Sequence, residues 1–148
     1  MPAVNGWPGG CQCGAVRYLL RRESLAVYAC HCRECQKQSA SAFGLSLPFA
    51  REELELTGEL ASYRRPTDSG SFTTGYFCPT CGSRLFHVSD RNPSRATLKA
   101  GTLDDTSGLS PRFHLWTSRK QPWVQLPDGV PQFEEQSVDL DLMRELMR

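Results

Sequence analysis

The sequence predicts a mainly β chain of short antiparallel strands with little helix, folded as one domain over residues 1–148. Two features carry that expectation. The apolar segments are brief and rich in β-branched and aromatic residues, and turn signals separate them: Thr57-Gly58, Asp68-Ser69-Gly70, Asn92-Pro93 and Pro127-Asp128-Gly129. Sustained helical periodicity is scarce.

In chain order, Ala15–Leu20 (AVRYLL), Leu25–Ala29 (LAVYA) and Phe43–Leu47 read as strands. Arg33–Ser39 reads as one or two helical turns after Cys32, and Arg51–Leu54 as a single turn. Phe72–Phe77, Leu85–Val88, Ala96–Ala100 and Phe113–Thr117 read as further strands, and the alternation from Arg95 to Ala100 gives its strand one wet face. Residues 103–112 (LDDTSGLSPR) read as a loop. Asp139–Met147 carries apolar residues at Leu140, Met143, Leu146 and Met147, the spacing of a short helix. A β domain with so small an apolar core is marginal unaided, and bound metal is a usual remedy.

Charge excludes little and recruits nothing. With 39% hydrophobic and 22% charged residues and a net charge of +1, no electrostatic reason exists to expect nucleic acid or an anionic membrane as partner. Arg64–Arg65 and Arg119–Lys120 read as solvated rims. The first ten residues lack the basic and apolar regions of a signal peptide, and runs such as Ala42 to Phe49 fall far short of the roughly 20 residues that span a bilayer. The expectation is a cytoplasmic protein with no obligate protein partner.

Seven cysteines in a chain with no export signal argue against a disulfide framework and for metal ligation. They fall into three groups: Cys11-Gln-Cys13-Gly14, Cys30-His-Cys32-Arg-Glu-Cys35 and Cys78-Pro-Thr-Cys81-Gly82. In the last, two intervening residues let both sulfurs turn toward one ion at about 2.3 Å. Gly82 follows, where a positive φ is cheap and backbone N–H groups can face the sulfurs. In the first, residues i and i+2 of an extended segment share a face, and Gly14 again follows. Two glycine-backed pairs close one tetrahedral site, so Cys11, Cys13, Cys78 and Cys81 are predicted to hold a structural zinc. Cys30, Cys32 and Cys35 then remain as three ligands with a fourth position open, the arrangement of a catalytic zinc. The alternative is a second structural site with an eighth ligand such as His31. His31 stands between two ligands, so its ring is expected to point away as a solvated or supporting group; His87 and His114, in apolar strands, read as core or edge histidines.

At these residues the chain resembles the glutathione-dependent formaldehyde-activating enzymes, a family of β-tent zinc proteins with centromere protein V-type relatives. The resemblance runs through Gly10-x-Cys-x-Cys-Gly14-Ala-Val-Arg-Tyr18, Cys30-His-Cys-Arg-x-Cys-Gln-Lys37 and Phe77-Cys-Pro-x-Cys-Gly82-Ser-Arg-Leu85. It continues in Ala100-Gly-Thr-Leu-Asp104, Trp116-Thr-x-x-Lys120-x-Pro-Trp123, Leu126-Pro-Asp-Gly129 and Gln132-Phe-Glu134. It implies a β-tent fold, a structural zinc on Cys11, Cys13, Cys78 and Cys81, a more labile zinc on Cys30, Cys32 and Cys35, and carbon–sulfur lyase activity joining formaldehyde to glutathione. The chain departs from the family pattern at Ser39-Ala40, where Ser-Gly is expected.

On this reading a small thiol enters the open position at Cys30, Cys32 and Cys35, with a small carbonyl such as formaldehyde beside it. Lys37, with Arg33, offsets surplus negative charge, and Ser39 donates to a carbonyl oxygen; otherwise Lys37 and Arg33 are a solvated rim and Ser39 a helix-end hydroxyl. Two rivals stand beside it. One is a non-catalytic zinc scaffold or interaction module with Trp116, Trp123 and Phe133 as a partner surface rather than core; the other is a redox protein using Cys78 and Cys81, which lacks the usual βαβ surroundings.

Overall fold

The computed structural model describes residues 6–137 and 139–148, so the N-terminal stretch read as non-leader lies outside them over positions 1–5. Among the described residues run ten strands and two short α-helices: β1 (Trp7–Gly10), β2 (Arg17–Leu20), β3 (Val27–Cys30), α1 (Arg33–Ser39), β4 (Gly44–Ala50), β5 (Leu54–Thr57), β6 (Ala61–Pro66), β7 (Phe72–Phe77), β8 (Arg84–Ser89), β9 (Arg95–Lys99), β10 (Pro111–Leu115) and α2 (Leu140–Leu146). The protein is mainly β, as its short apolar segments require. No helix of the described residues is long and apolar enough to cross a membrane. The chain forms two compact units, one of residues 1–25 and 48–108, the other of residues 26–47 and 109–148.

In the first unit β1, β2 and β5 pair antiparallel in that order, while β6, β7, β8 and β9 form an antiparallel meander. Val16, Tyr18 and Leu20 alternate into the interior, as do Ala96 and Leu98. The Tyr18 hydroxyl shares a 2.8 Å hydrogen bond with Thr102 Oγ1, which satisfies its one polar atom in the core. β1 (WPGG) has no strand propensity of its own. Its glycines are there for room: a Cβ on Gly9 would run into the Tyr18 phenol and the Thr102 carbonyl, and one on Gly10 into the Val16 carbonyl. β6 is also invisible to hydrophobic patterning, because it is an edge strand with little buried surface. Its Arg64 lies 3.6 Å over the Phe72 ring and pairs with Asp90 at 2.8 Å. β7 and β8 slip register between Tyr76 and Phe77, immediately before Cys78, and the irregularity turns the chain out of the ladder into the cysteine turn.

In the second unit β3 pairs antiparallel with β4 and parallel with β10. This parallel pairing stands within a mostly antiparallel arrangement and is open to strands so distant in sequence. Tyr28 and Phe113 stack with centroids 5.0 Å apart. β10 starts two residues earlier than its apolar run and stops at Leu115, because Trp116 takes a left-handed conformation at φ 58° and ends the strand.

Candidate metal centre

Cys11 and Cys13 leave β1 on a turn closed by Cys11 N–H to Val16 O at 3.0 Å and Gly14 N–H to Cys11 O at 3.2 Å, with Gly14 at φ 82°. Cys78 and Cys81 leave β7 on a matching turn, closed by Cys78 N–H to Ser83 O at 3.0 Å and Gly82 N–H to Cys78 O at 2.9 Å, with Gly82 at φ 79°. Gln12 N–H donates to Ser83 Oγ at 3.0 Å and joins the two turns. All four sulfurs lie within 4.8 Å of one another. Cys11 and Cys13 are 3.6 Å apart at Sγ, and Cys13 and Cys78 are 3.8 Å apart. A zinc–sulfur length of about 2.3 Å puts tetrahedral sulfurs about 3.8 Å from one another, so the donor set fits zinc.

The turns also deliver charge compensation. Val16 N–H donates to Cys11 Sγ at 3.2 Å, and Thr80 and Cys81 N–H approach Cys78 Sγ at 3.4 and 3.5 Å. The Ser83 hydroxyl lies 3.2 Å from Cys81 Sγ. These donors favour thiolates: the Ser83 hydroxyl, then its backbone, brings the Cys81 thiol down to about 5, and the Val16 amide lowers Cys11.

A second group gathers Cys30, Cys32 and Cys35, whose sulfurs also lie within 4.8 Å of one another. Cys30 ends β3, Cys32 is the N-cap of α1, and Cys35 lies in the helix, its N–H 3.4 Å from Cys32 Sγ. Gly44 of β4 stands opposite Cys30, and a Cβ there would come 3.2 Å from Cys35 Cβ and 3.5 Å from its Sγ. Cys30 and Cys35 are buried with Phe113 and Leu115, and Phe133, Met143, Leu146 and Met147 pack against that cluster. Without metal the crowded thiols divide their protons unequally. Hydrogen bonds from Cys30 and then Cys35 drive Cys32 well below the usual thiol range, while Cys32, Cys35 and burial drive Cys30 up. Three sulfurs so arranged can hold one ion and leave a tetrahedral position free.

The sequence profile of the glutathione-dependent formaldehyde-activating enzymes matches residues 7–119, a span that holds all seven cysteines. The chain belongs to that family. A crystal structure of a Rhodobacter sphaeroides protein, a structural-genomics target, is similar in fold, with a TM-score of 0.52 and 24% identity over 71% of this chain and 92% of that one.

In this member of the formaldehyde-activating enzymes, the other residues singled out from the sequence take distinct places. His31 is fully buried rather than solvated. Its Nε2 lies 2.9 Å from His114 Nδ1, and the Phe43 ring packs on it. Among the described residues His31 Nδ1 has no hydrogen-bond partner. A buried acceptor without a partner is tolerated better than a buried donor without one, which assigns the shared proton to His31 Nε2. Burial first, then the His114 ring and Lys120, push the His31 imidazole down to about 4, and burial lowers His114. His87 Nδ1 is 2.7 Å from Lys99 Nζ.

The Ser39 hydroxyl is 2.8 Å from Cys35 O and 3.1 Å from Phe43 O, the engagement of a helix-end hydroxyl. Lys37 is exposed and shares a cleft with Arg33. Trp116 and Phe133 pack against the cluster around Cys30 and Cys35, whereas Trp123 is 69% exposed and not core. One buried residue escaped sequence reasoning. Gln36 donates from Nε2 to His31 O at 2.8 Å and to Arg119 O at 2.9 Å, and so pins the backbone between Cys30 and Cys32. Its sequence signal was its place in the Cys35-Gln-Lys37 stretch of the family pattern, which by itself assigns it no role.

Proposed function

We propose that the chain is a zinc-dependent carbon–sulfur lyase that joins a small thiol, glutathione, to a small carbonyl such as formaldehyde, as an S-hydroxymethylglutathione synthase. The observation that carries this reading is the second cysteine group: three sulfurs within reach of one ion, with no fourth His, Cys, Asp or Glu beside them among the described residues. Membership of the family supplies the substrate class. We place the reaction in the cytoplasm, where thiols stay reduced.

In the addition, a sulfur–carbon bond forms, the carbonyl π bond opens, and the thiol proton ends on the former carbonyl oxygen. A zinc ion held by Cys30, Cys32 and Cys35 would supply Lewis acidity that keeps an incoming thiol deprotonated. The protein's own residues do the rest. Phe113 and Leu115 exclude water around Cys30 and Cys35, which strengthens the electrostatics there. Gln36 fixes the chain that carries the ligands. Lys37 and Arg33, on α1, offset the surplus negative charge. Holding both reactants at one site would supply much of the acceleration. Cys11, Cys13, Cys78 and Cys81 take the structural role, as their closed set of four sulfurs requires.

The test is exchange spectroscopy of glutathione with formaldehyde, run anaerobically on zinc-loaded protein. The exchange rate should rise in proportion to protein concentration. Cys35→Ser should abolish the increment and keep one tightly bound zinc, while Cys81→Ser should unfold the protein, because binding of structural zinc is folding energy. A rate independent of protein concentration would refute the enzymatic reading and leave the zinc scaffold.

A further inference from the structure

At about 100° per residue, α1 presents two flanks. Cys32, Cys35 and Ser39 fall on one. Arg33, Gln36, Lys37 and Ala40 fall on the other, and with Gln121 and Trp123 they line a cleft of about 430 Å³. None of the three sulfurs lines this cleft, although Arg33 and Lys37 also carry the charge that the proposed thiol chemistry sets against them. Its volume falls in the range of small-molecule sites.

The lining carries two cations and no acidic residue. Among the described residues Lys37 has no ion pair, and Arg33 bonds only to an amide oxygen, Gln36 Oε1, at 2.7 Å. Like charges four residues apart on a helix repel one another, and an anion between them removes that cost. The opposite wall is fixed in advance. Gln121 Nε2 donates to Gln36 Oε1 at 3.3 Å, and Trp123 Nε1 donates to Gln121 Oε1 at 2.7 Å. Gln36 is itself buried and tied to backbone carbonyls, so the relay ends on rigid structure. The indole N–H is thus engaged internally, and Trp123 lines the cleft with an otherwise apolar ring. No other tryptophan is among the exposed large apolar residues, and the side chain stays 69% accessible where burial would be favourable.

We propose that this cleft binds a small organic anion in which a carboxylate or phosphate group sits beside a flat unsaturated portion. The anionic group lies between Arg33 and Lys37, and the flat portion stacks on Trp123. Of the five N–H donors of Arg33 one is committed to Gln36, which leaves others for a planar oxyanion. None of the cleft's lining residues is a candidate metal ligand.

Titration of the zinc-loaded full-length protein, followed by tryptophan fluorescence and calorimetry, tests this. The probes are benzoate, phenyl phosphate, inorganic phosphate and the uncharged benzamide. Benzoate or phenyl phosphate should saturate at or below about 1 mM, and the stronger of the two identifies the anionic group. Benzamide should not saturate. Arg33→Gln and Lys37→Gln should each weaken binding about tenfold, as loss of one charge-assisted contact implies. Trp123→Leu should remove the preference for phenyl phosphate over inorganic phosphate. All three side chains are at the surface, and zinc content verifies that the variants fold. The proposal is overturned if neither anion saturates, if benzamide binds as well as benzoate, or if both charge variants bind like the wild type.

Discussion

Replacing Ala40 with glycine should make the protein more stable, an unusual result for any substitution to glycine. Ala40 ends α1 at φ 51° and ψ 39°, in the left-handed region. Its N–H reaches Lys37 O at 3.2 Å, and Ser41 N–H reaches Gln36 O at 3.2 Å, the paired bonds of a Schellman ending. An L residue with a Cβ pays about 1–2 kcal/mol in that conformation. Glycine escapes the strain but loses about 0.5–1 kcal/mol more chain entropy on folding. Ala40 is exposed, so its methyl contributes little burial. The balance favours Ala40→Gly by about 0.5–1 kcal/mol. Urea unfolding at fixed zinc should show a midpoint raised by about 0.3–0.5 M at an unchanged slope. Ala40→Val should move the midpoint down, because a branched Cβ deepens the clash. An unchanged or lowered midpoint for the glycine variant would refute the assignment of strain to this position.

Two further outcomes follow from the second unit. Gly44→Ala would press a methyl against Cys35, so chelator competition should show the Cys30, Cys32, Cys35 site weakened about 10- to 100-fold while the four-cysteine site keeps its zinc; equal retention at both would contradict the packing. His31, pushed down to about 4 from 6.5, should stay neutral in the folded protein when followed by imaging its ring nitrogens with NMR. Because the folded value lies below the unfolded one, this contribution to stability is complete above about pH 6.5 and is lost as pH falls toward 4; a ring that titrates near 6.5 in the folded state would overturn it.

Local chemistry made the cysteine groups legible and tertiary context hid the rest. Gly14 and Gly82 each sit at the positive φ that their place after a cysteine pair implied. α1 and β7 match their expected spans because both are short and bounded, α1 by Cys32 and β7 by turn signals. β1 was unreadable because Gly9 and Gly10 are chosen for close approach to Tyr18 and Val16, partners that only folding brings near. β5 and β6 were unreadable because they bury too little to impose alternation. Within the site, Ser39 looked like a donor for substrate until the carbonyls of Cys35 and Phe43 were found beside it. Trp123 looked like core because nothing in its sequence neighbourhood marks it as the rim of a cleft.

The two cysteine groups differ in how each is built to hold charge, and that difference argues for different roles. At Cys11, Cys78 and Cys81 the N–H groups of Val16, Thr80 and Cys81 and the Ser83 hydroxyl face sulfur from turns closed by their own backbone bonds. Donors thus face these three sulfurs whether or not solvent reaches the site, while at Cys13 the Ala15 amide is outweighed by burial and the neighbouring thiols, which raise that thiol to about 11. At Cys30 and Cys35 the neighbours are Phe113, Leu115 and the apolar side chains of α2. Cys32 Sγ receives the Cys35 N–H at 3.4 Å, the same length as the Thr80 contact to Cys78, but among the described residues no hydroxyl joins it as Ser83 does at Cys81. Apolar walls do not stabilise an ensemble of three thiolates; they raise its energy and leave an ion there dependent on whatever fills the fourth position. Such a site should release its ion more readily and gain more from an incoming anionic sulfur, which is the behaviour a thiol-activating centre needs and a structural knot does not.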